Sequence, residues 1–131
     1  MNKKAKKILL LDDESQLSEI LKEFLESNGY EVTTAKDGVE GLKKTMVNDY
    51  DVILCDMLMP NLPGDKFYIA VERIKPHLCK RFLFMTGHHG NPKMEVFIRR
   101  IGGLVLFKPF ELHVLLESVL VIIKKASKAT P

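Results

Sequence analysis

Four short apolar runs in this chain stop on polar residues that can do chemistry. Ile8–Leu11 is followed by Asp12-Asp13, Val52–Cys55 by Asp56, Phe82–Met85 by Thr86 and Leu104–Phe107 by Lys108. If the runs are parallel strands, their carboxyl ends share one rim. Three carboxylates, a hydroxyl and an ammonium then converge. Taken singly, each has an ordinary explanation. An Asp after a strand caps a helix, and Asp12 or Asp13 could cap the first one here. A Thr before glycine belongs to a turn, and a lone Lys is a solvated charge. None of these explains why all of them fall at strand ends.

As a group, the residues suggest a specific chemistry. Neighbouring carboxylates repel one another and raise each other's pKa unless a cation neutralises them. A hard divalent ion held by a few carboxylates and several waters describes Mg²⁺. Such an ion also shields an incoming phosphate, so that an anionic carboxylate can attack it as a nucleophile and form an acyl phosphate. Lys108 and Thr86 would meet the phosphoryl oxygens by charge and by hydrogen bond. Without Lys108, the set would describe a simple Mg²⁺ or Ca²⁺ binder.

The elements that must position these residues are legible from hydrophobic spacing. Five strand-length runs, Ile8–Leu11, Tyr30–Ala35, Val52–Cys55, Phe82–Met85 and Leu104–Phe107, alternate with five helix-spaced stripes. Four runs are continuously apolar, as strands covered on both faces are. The second alternates Tyr30, Val32 and Thr34, which suits an edge. The stripes are Leu17-Ile20-Leu21-Phe24-Leu25, ended by Gly29; Val39-Leu42-Met46; Phe67-Ala70-Val71-Ile74, closed by Pro76; Met94-Phe97-Ile98-Ile101, ended by Gly102-Gly103; and Leu112-Leu115-Leu116-Val119-Ile122. Five strand–helix units with short connections predict one doubly wound α/β domain over residues 1–131, with a core at about 7–125.

Composition narrows the class. A chain of 131 residues that is 46% hydrophobic and 28% charged suits one globular domain. No apolar run approaches the roughly 20 residues needed to cross a bilayer, and the four apolar residues after the N-terminal lysines are too few for an export signal. The expectation is a cytoplasmic protein with no membrane contact, and its two cysteines, Cys55 and Cys79, read as reduced thiols. The net charge of +3 comes from the ends. Setting aside Lys3, Lys4, Lys6, Lys7, Lys124, Lys125 and Lys128 leaves 13 bases against 17 acids, a body of about −4. Charge confined to frayed tails makes no nucleic-acid face.

On the motifs "LLLDDE", "DMLMPNLPG", "MTGH" and "LFKPF", the sequence resembles the receiver domain of two-component response regulators, from about Lys7 to Lys125. The resemblance implies a flavodoxin-like (βα)5 domain with helices on both faces of a five-stranded parallel sheet. Its strand order would be 2-1-3-4-5, an order that members of this family commonly illustrate. It implies Asp56 as phosphoacceptor, with Mg²⁺ bound by Asp13, Asp56 and the Leu58 backbone carbonyl and supported by Asp12. Thr86 and Lys108 would hold the phosphoryl group, and Lys108-Pro109 would be cis. The donor would be a phosphohistidine on a sensor histidine kinase or a histidine phosphotransfer protein, or a small molecule such as acetyl phosphate. Thr86 would draw the Gly87–Pro92 loop and the fourth helix with it, biasing a surface of fourth helix, fifth strand and fifth helix that a downstream effector or a second copy reads.

Three positions depart from the family's habits. Val105, three before Lys108, stands where many receivers carry an aromatic switch residue; valine is short and stiff. Phe107 lies next to the lysine and does not replace it. Leu58 is apolar where polar residues are common, and His88 lies two beyond Thr86; both positions tune phosphoryl loss. The pair His88-His89 lacks zinc spacing, and His77 and His113 receive no role. Two other readings stay open. One is an interaction module with a weak or lost phosphorylation switch, supported by Val105. The other is an aspartate-nucleophile phosphatase of the haloacid dehalogenase type, which needs an acid where this chain has Leu58. Cognate kinase, output and oligomeric state have no signal in these residues, nor does the choice between a complete regulator and a piece of a larger one.

Overall fold

The computed structural model describes residues 4–87 and 92–129, and within them the predicted alternation is complete. The strands are β1 (Lys7–Leu11), β2 (Glu31–Ala35), β3 (Val52–Asp56), β4 (Phe82–Thr86) and β5 (Leu104–Phe107). The helices are α1 (Ser15–Ser27), α2 (Gly38–Val47), α3 (Gly64–Ile74), α4 (Pro92–Ile101) and α5 (Leu112–Ala129), with a 3₁₀ turn at Pro76–Arg81 that spacing does not show. All pairings are parallel, in the order β2-β1-β3-β4-β5.

Strand geometry explains why the apolar runs must be continuous. Successive side chains point to opposite faces, so Ile8 and Leu10 enter one core while Leu9 and Leu11 enter the other. The first core is closed by Leu21 and Leu25 of α1 and by Leu115, Val119 and Ile122 of α5. The second is closed by Phe67 and Val71 of α3, with Leu42 of α2 and Phe97 of α4 packed against it. β2 is an edge strand, as its alternation predicts. β5 is the other edge and is not buried on both faces: only Leu106 is fully buried, and Phe107 is 47% exposed. Its continuous apolar run suggests a central strand, because periodicity cannot tell a covered face from an open one.

The α2 stripe is also rotated from its predicted face. Val39 is 42% and Met46 62% exposed, whereas Gly38, Gly41 and Thr45 are buried. A Cβ on Gly41 would lie 2.3 Å from Leu11 Cδ2, so the helix approaches the sheet too closely for a large side chain there. Gly38, Gly41 and Thr45 turn inward beside the partly buried Leu42, while Val39 and Met46 turn outward. Ile20, Ile74 and Leu112 are likewise exposed members of otherwise correct stripes, and α4 has no fully buried residue. Gly29, at φ +91°, ends α1 as expected.

The expectation of frayed basic tails needs one correction. Lys7 is ordered in β1, its N–H donating to Asp51 Oδ2 at 2.7 Å, and Lys124 and Lys125 lie within α5. His77, which has no predicted role, pairs with Asp49 at 2.7 Å on the surface. Neither cysteine is bridged; Cys55 is buried and burial pushes its thiol well above its ordinary pKa.

Candidate functional site

Register brings the polar strand ends level. Leu11 pairs with Cys55, Asp56 with Met85, and Thr86 with Phe107, so Asp12 follows β1 beside the last residue of β3. The chain winds from β1 outward to β2 and then crosses back to β3, which makes the β1/β3 boundary the topological switch point of the sheet. The predicted residues meet there. Ligand-capable oxygens of Asp12, Asp13 and Asp56 all lie within 4.8 Å of one another.

Lys108 closes the group from β5. Its Nζ donates to Asp56 Oδ2 at 3.0 Å and to Asp12 Oδ2 at 3.2 Å. The Asp12 side chain is fully buried and that of Asp56 is 8% exposed, so these are desolvated pairs rather than surface ones. Backbone amides satisfy the remaining oxygens. Glu14 N–H donates to Asp12 Oδ1 at 2.9 Å, and Leu58 N–H donates to Asp56 Oδ1 at 3.1 Å. Neither aspartate serves as the α1 N-cap, a position held by Glu14 without a side-chain bond. Ser18 on α1 donates its hydroxyl to the Asp12 carbonyl at 3.4 Å. Thr86 is buried at the end of β4, where its carbonyl accepts from Lys108 N–H at 2.8 Å. The Lys108-Pro109 peptide is cis.

Electrostatics follow from that burial. Burial pushes the Asp56 carboxyl above its ordinary value, and the Lys108 hydrogen bond, the next influence, only partly offsets it. Burial pulls Lys108 the other way, but the hydrogen bond and charge of Asp56, followed by Asp12, outweigh it and hold the ammonium above its ordinary value. An attraction shared by both partners should lower one and raise the other. The rise at Asp56 therefore reflects chiefly its burial, to which the nearby Asp12 charge adds a smaller push. A hard cation with oxygen ligands would offset the charge of the three converging carboxylates, a donor set of the kind Mg²⁺ takes. The residues fit such an ion.

The positions expected to tune or relay the switch fall in different places. Leu58 is 40% exposed beside Asp56, and Gly87 lies next to the Lys108 side chain. His88, like His89, lies outside the described residues. Val105 is half-buried and lines a cleft of about 190 Å³ together with Thr86, Met94, Ile98 and Phe107.

Two contributors escape the sequence pattern. Gly64 starts α3 directly against the site: a Cβ there would lie 2.8 Å from the Asp56 carbonyl oxygen and 2.9 Å from Met57 Cα. Both obstacles are backbone and cannot swing away. Gly64→Ala is expected to lose about 1–3 kcal/mol of stability, as overpacked sites do, read as an earlier urea midpoint at unchanged slope. The other is Asp37, which accepts from Glu40 N–H at 2.8 Å and from Asn61 Nδ2 at 2.9 Å. The spacing Asp37-x-x-Glu40 before an apolar stripe signals the cap. Nothing in the sequence signals Asn61, because the contact spans 24 residues.

A doubly wound sheet of this order with an acidic pocket at its switch point defines the CheY-like class of flavodoxin-like domains. The chain belongs to the response regulator receiver domain family, whose sequence model matches residues 8–120. It is similar to the transcriptional regulatory protein ResD of Bacillus subtilis, 38% identical over 126 residues, which covers 95% of this chain and 50% of ResD. It is also similar to the response regulator ArlR of Staphylococcus saprophyticus, 27% identical over 125 residues, covering 91% and 53%. Among solved structures, a CheY-like receiver domain protein from Methanospirillum hungatei JF-1 superposes with a TM-score of 0.87 at 26% identity, covering 95% of this chain and 98% of that one. A receiver domain protein from Clostridium thermocellum gives 0.84 at 31%, covering 95% and 99%. The chain spans about half, or less, of the length of these curated relatives. Among the described residues, no helix is long and apolar enough to cross a membrane.

Proposed function

We propose that this domain, residues 1–131 with its core at about 7–125, accepts a phosphoryl group on Asp56 and switches an interaction surface in response. A single observation carries the reading: three carboxylates meet within 4.8 Å, and the one in the middle of the sheet is bonded to a half-buried lysine at 3.0 Å. An oxygen of Asp56 attacks phosphorus while the bond from phosphorus to the donor's imidazole nitrogen, or to acetate oxygen in acetyl phosphate, breaks with its electron pair leaving on the donor. Asp12, Asp13, Asp56 and the Leu58 carbonyl would hold Mg²⁺, which when bound offsets the charge of both phosphate and carboxylates. Lys108 transfers its ammonium from Asp56 to a phosphoryl oxygen, and the Thr86 hydroxyl donates to another.

The donor is a phosphohistidine on a sensor histidine kinase or histidine phosphotransfer protein, in the cytoplasm. The domain turns over no metabolite, because the phosphatase reading needs an acid where Leu58 stands. Output passes through α4, β5 and α5 to an effector or a second copy, without direct nucleic-acid contact. Intact mass after incubation with acetyl phosphate and Mg²⁺ tests the reading. A single adduct requiring Mg²⁺ supports it, and its absence with both acetyl phosphate and a phosphohistidine donor overturns it.

Leu58 presents an apolar side chain beside the acceptor, where hydrolytic water would approach. Leu58→Asn is expected to shorten the phosphoryl lifetime several-fold, followed as the decay of the adduct by mass. An unchanged decay would remove Leu58 from that role.

The cleft at Val105 favours one alternative, a module whose partner ignores phosphorylation. A cleft of about 190 Å³ lies beside Thr86 and Val105, and the short, stiff valine cannot sweep it as an aromatic side chain at that position would. Equal partner affinity with and without the phosphoryl group would support that alternative.

A further inference from the structure

The loop between β3 and α3 carries Leu58, and it is held at three points. At its root, Leu58 N–H donates to Asp56 Oδ1 at 3.1 Å. At its end, Gly64 N–H donates to the Met57 carbonyl at 3.0 Å. Its middle is held by Asn61, which adopts φ +67° and donates from Nδ2 to Asp37 Oδ2 at 2.9 Å. Asp37 is itself buried, and its other oxygen, Oδ1, caps α2 by accepting from Glu40 N–H at 2.8 Å. One carboxylate therefore joins the first turn of α2 to a loop far along the chain. The seat is tight: a Cβ on Gly38 would lie 2.4 Å from the Leu62 carbonyl oxygen. Neither Asp37 nor Asn61 belongs to the acidic trio.

The geometry points to Asp37 and Asn61 as positioning residues for the acidic pocket, their bridge fixing the loop whose Leu58 carbonyl completes the divalent-cation site and thereby setting its affinity. This rests on the proposed metal-binding role of the pocket. The physical reason is that Mg²⁺ demands near-ideal octahedral geometry at about 2.0–2.1 Å. A carbonyl on a short loop meets that demand only if the loop is anchored beyond it. The root and end contacts both lie within the loop's own strand and helix; Met59 and Leu62 pack against the core, and among the hydrogen bonds described only that of Asn61 ties the loop's middle to another element. The Glu40 amide first, and the Asn61 amide next, hold the Asp37 carboxyl below its usual range, so it remains an anionic acceptor for both. Partners that orient metal ligands typically change metal affinity about 10–100-fold when removed.

Three variants of the full chain separate positioning from folding. Asn61→Gly keeps the positive φ accessible and deletes the amide. Asp37→Ser keeps a helix cap and deletes the bridge. The exchange Asp37→Asn with Asn61→Asp rebuilds the hydrogen bond with donor and acceptor reversed and leaves net charge unchanged. Mg²⁺ dissociation constants are read by calorimetry, and thermal midpoints are recorded beside them. Each single change is expected to weaken Mg²⁺ about tenfold. Combining Asn61→Gly with Asp37→Ser adds nothing beyond either, and the exchange restores most of the affinity. The thermal midpoint of Asn61→Gly stays near that of the parent. Parent-like affinity in either single variant, or an exchange variant as weak as the singles, overturns the bridge. A parent chain that binds no Mg²⁺ overturns the metal reading itself, a distinct outcome.

Discussion

Asp56→Asn is expected to take up no phosphoryl group from acetyl phosphate, to bind Mg²⁺ more weakly than the parent, and nevertheless to be the more stable protein in metal-free buffer at neutral pH. The loss of acceptance follows because the amide has no anionic oxygen to attack phosphorus. Weaker Mg²⁺ binding follows from removing one of three converging carboxylates. The gain in stability follows from burial, which holds the Asp56 carboxyl above its ordinary value of 3.8. A raised carboxyl pKa means that the folded state binds this proton more tightly than the unfolded chain does. Stability from this group is therefore greatest below the unfolded value and declines as pH rises through the folded one. At neutral pH the parent carries the whole penalty and the amide carries none. As pH falls through the raised value towards 3.8, the advantage of Asp56→Asn shrinks to nothing. Urea unfolding in chelator across that window, beside intact mass with Mg²⁺, checks both halves. A variant less stable than the parent at neutral pH would mean that Lys108 more than repays the burial of Asp56.

Phe84→Ala is expected to lose about 3–5 kcal/mol, a large share of the roughly 5–15 kcal/mol that holds a domain of this size. Phe84 is fully buried in β4, the strand between β3 and β5, opposite Cys55 and Val105. Its ring lies 5.3 Å from Phe82, 5.8 Å from Phe97 and 6.1 Å from Tyr68, so deletion leaves a cavity that several rigid rings cannot fill. The thermal midpoint should fall by more than about 10 °C; a fall of only a degree or two would show that the neighbours close the gap. A second consequence is local. The helix α4 has no fully buried residue and attaches to the core through partly buried Met94, Phe97 and Ile101. Removing the face on which Phe97 packs edge-on should speed amide exchange in α4 more than in α1, whose Leu21 and Leu25 lie in the opposite core. Because Thr86 lies two residues beyond Phe84, this helix is also the one that the proposed switch must move.

Much of this is legible from residue order. Continuous apolar runs of strand length must be covered on both faces, and helix-spaced stripes between them must supply the cover, so the doubly wound class follows from periodicity. The polar residues that end those runs are legible for the same reason. A parallel sheet places all its carboxyl ends on one rim whatever the helices do in detail. Where pattern misleads, the lost information is about faces. The apolar run of β5 carries no mark of being an edge, and Val39 and Met46 have the spacing of a core stripe but lie outside it. Side-chain type records what a position tolerates, and an exposed helix face tolerates valine and methionine.

The sequence by itself determined the class of fold, the direction of its strands and the identity of the residues that meet at the switch point, since each depends on patterns a few residues long. Only the tertiary structure decided how they meet. It showed that Lys108 divides its ammonium between Asp12 and Asp56, that Gly64 presses against the Asp56 backbone, and that Asp37 reaches Asn61. These contacts join segments distant in the chain, and their geometry depends on how closely helices approach the sheet. That distance is set by the summed packing of side chains on both faces, a property of no single stretch of residues.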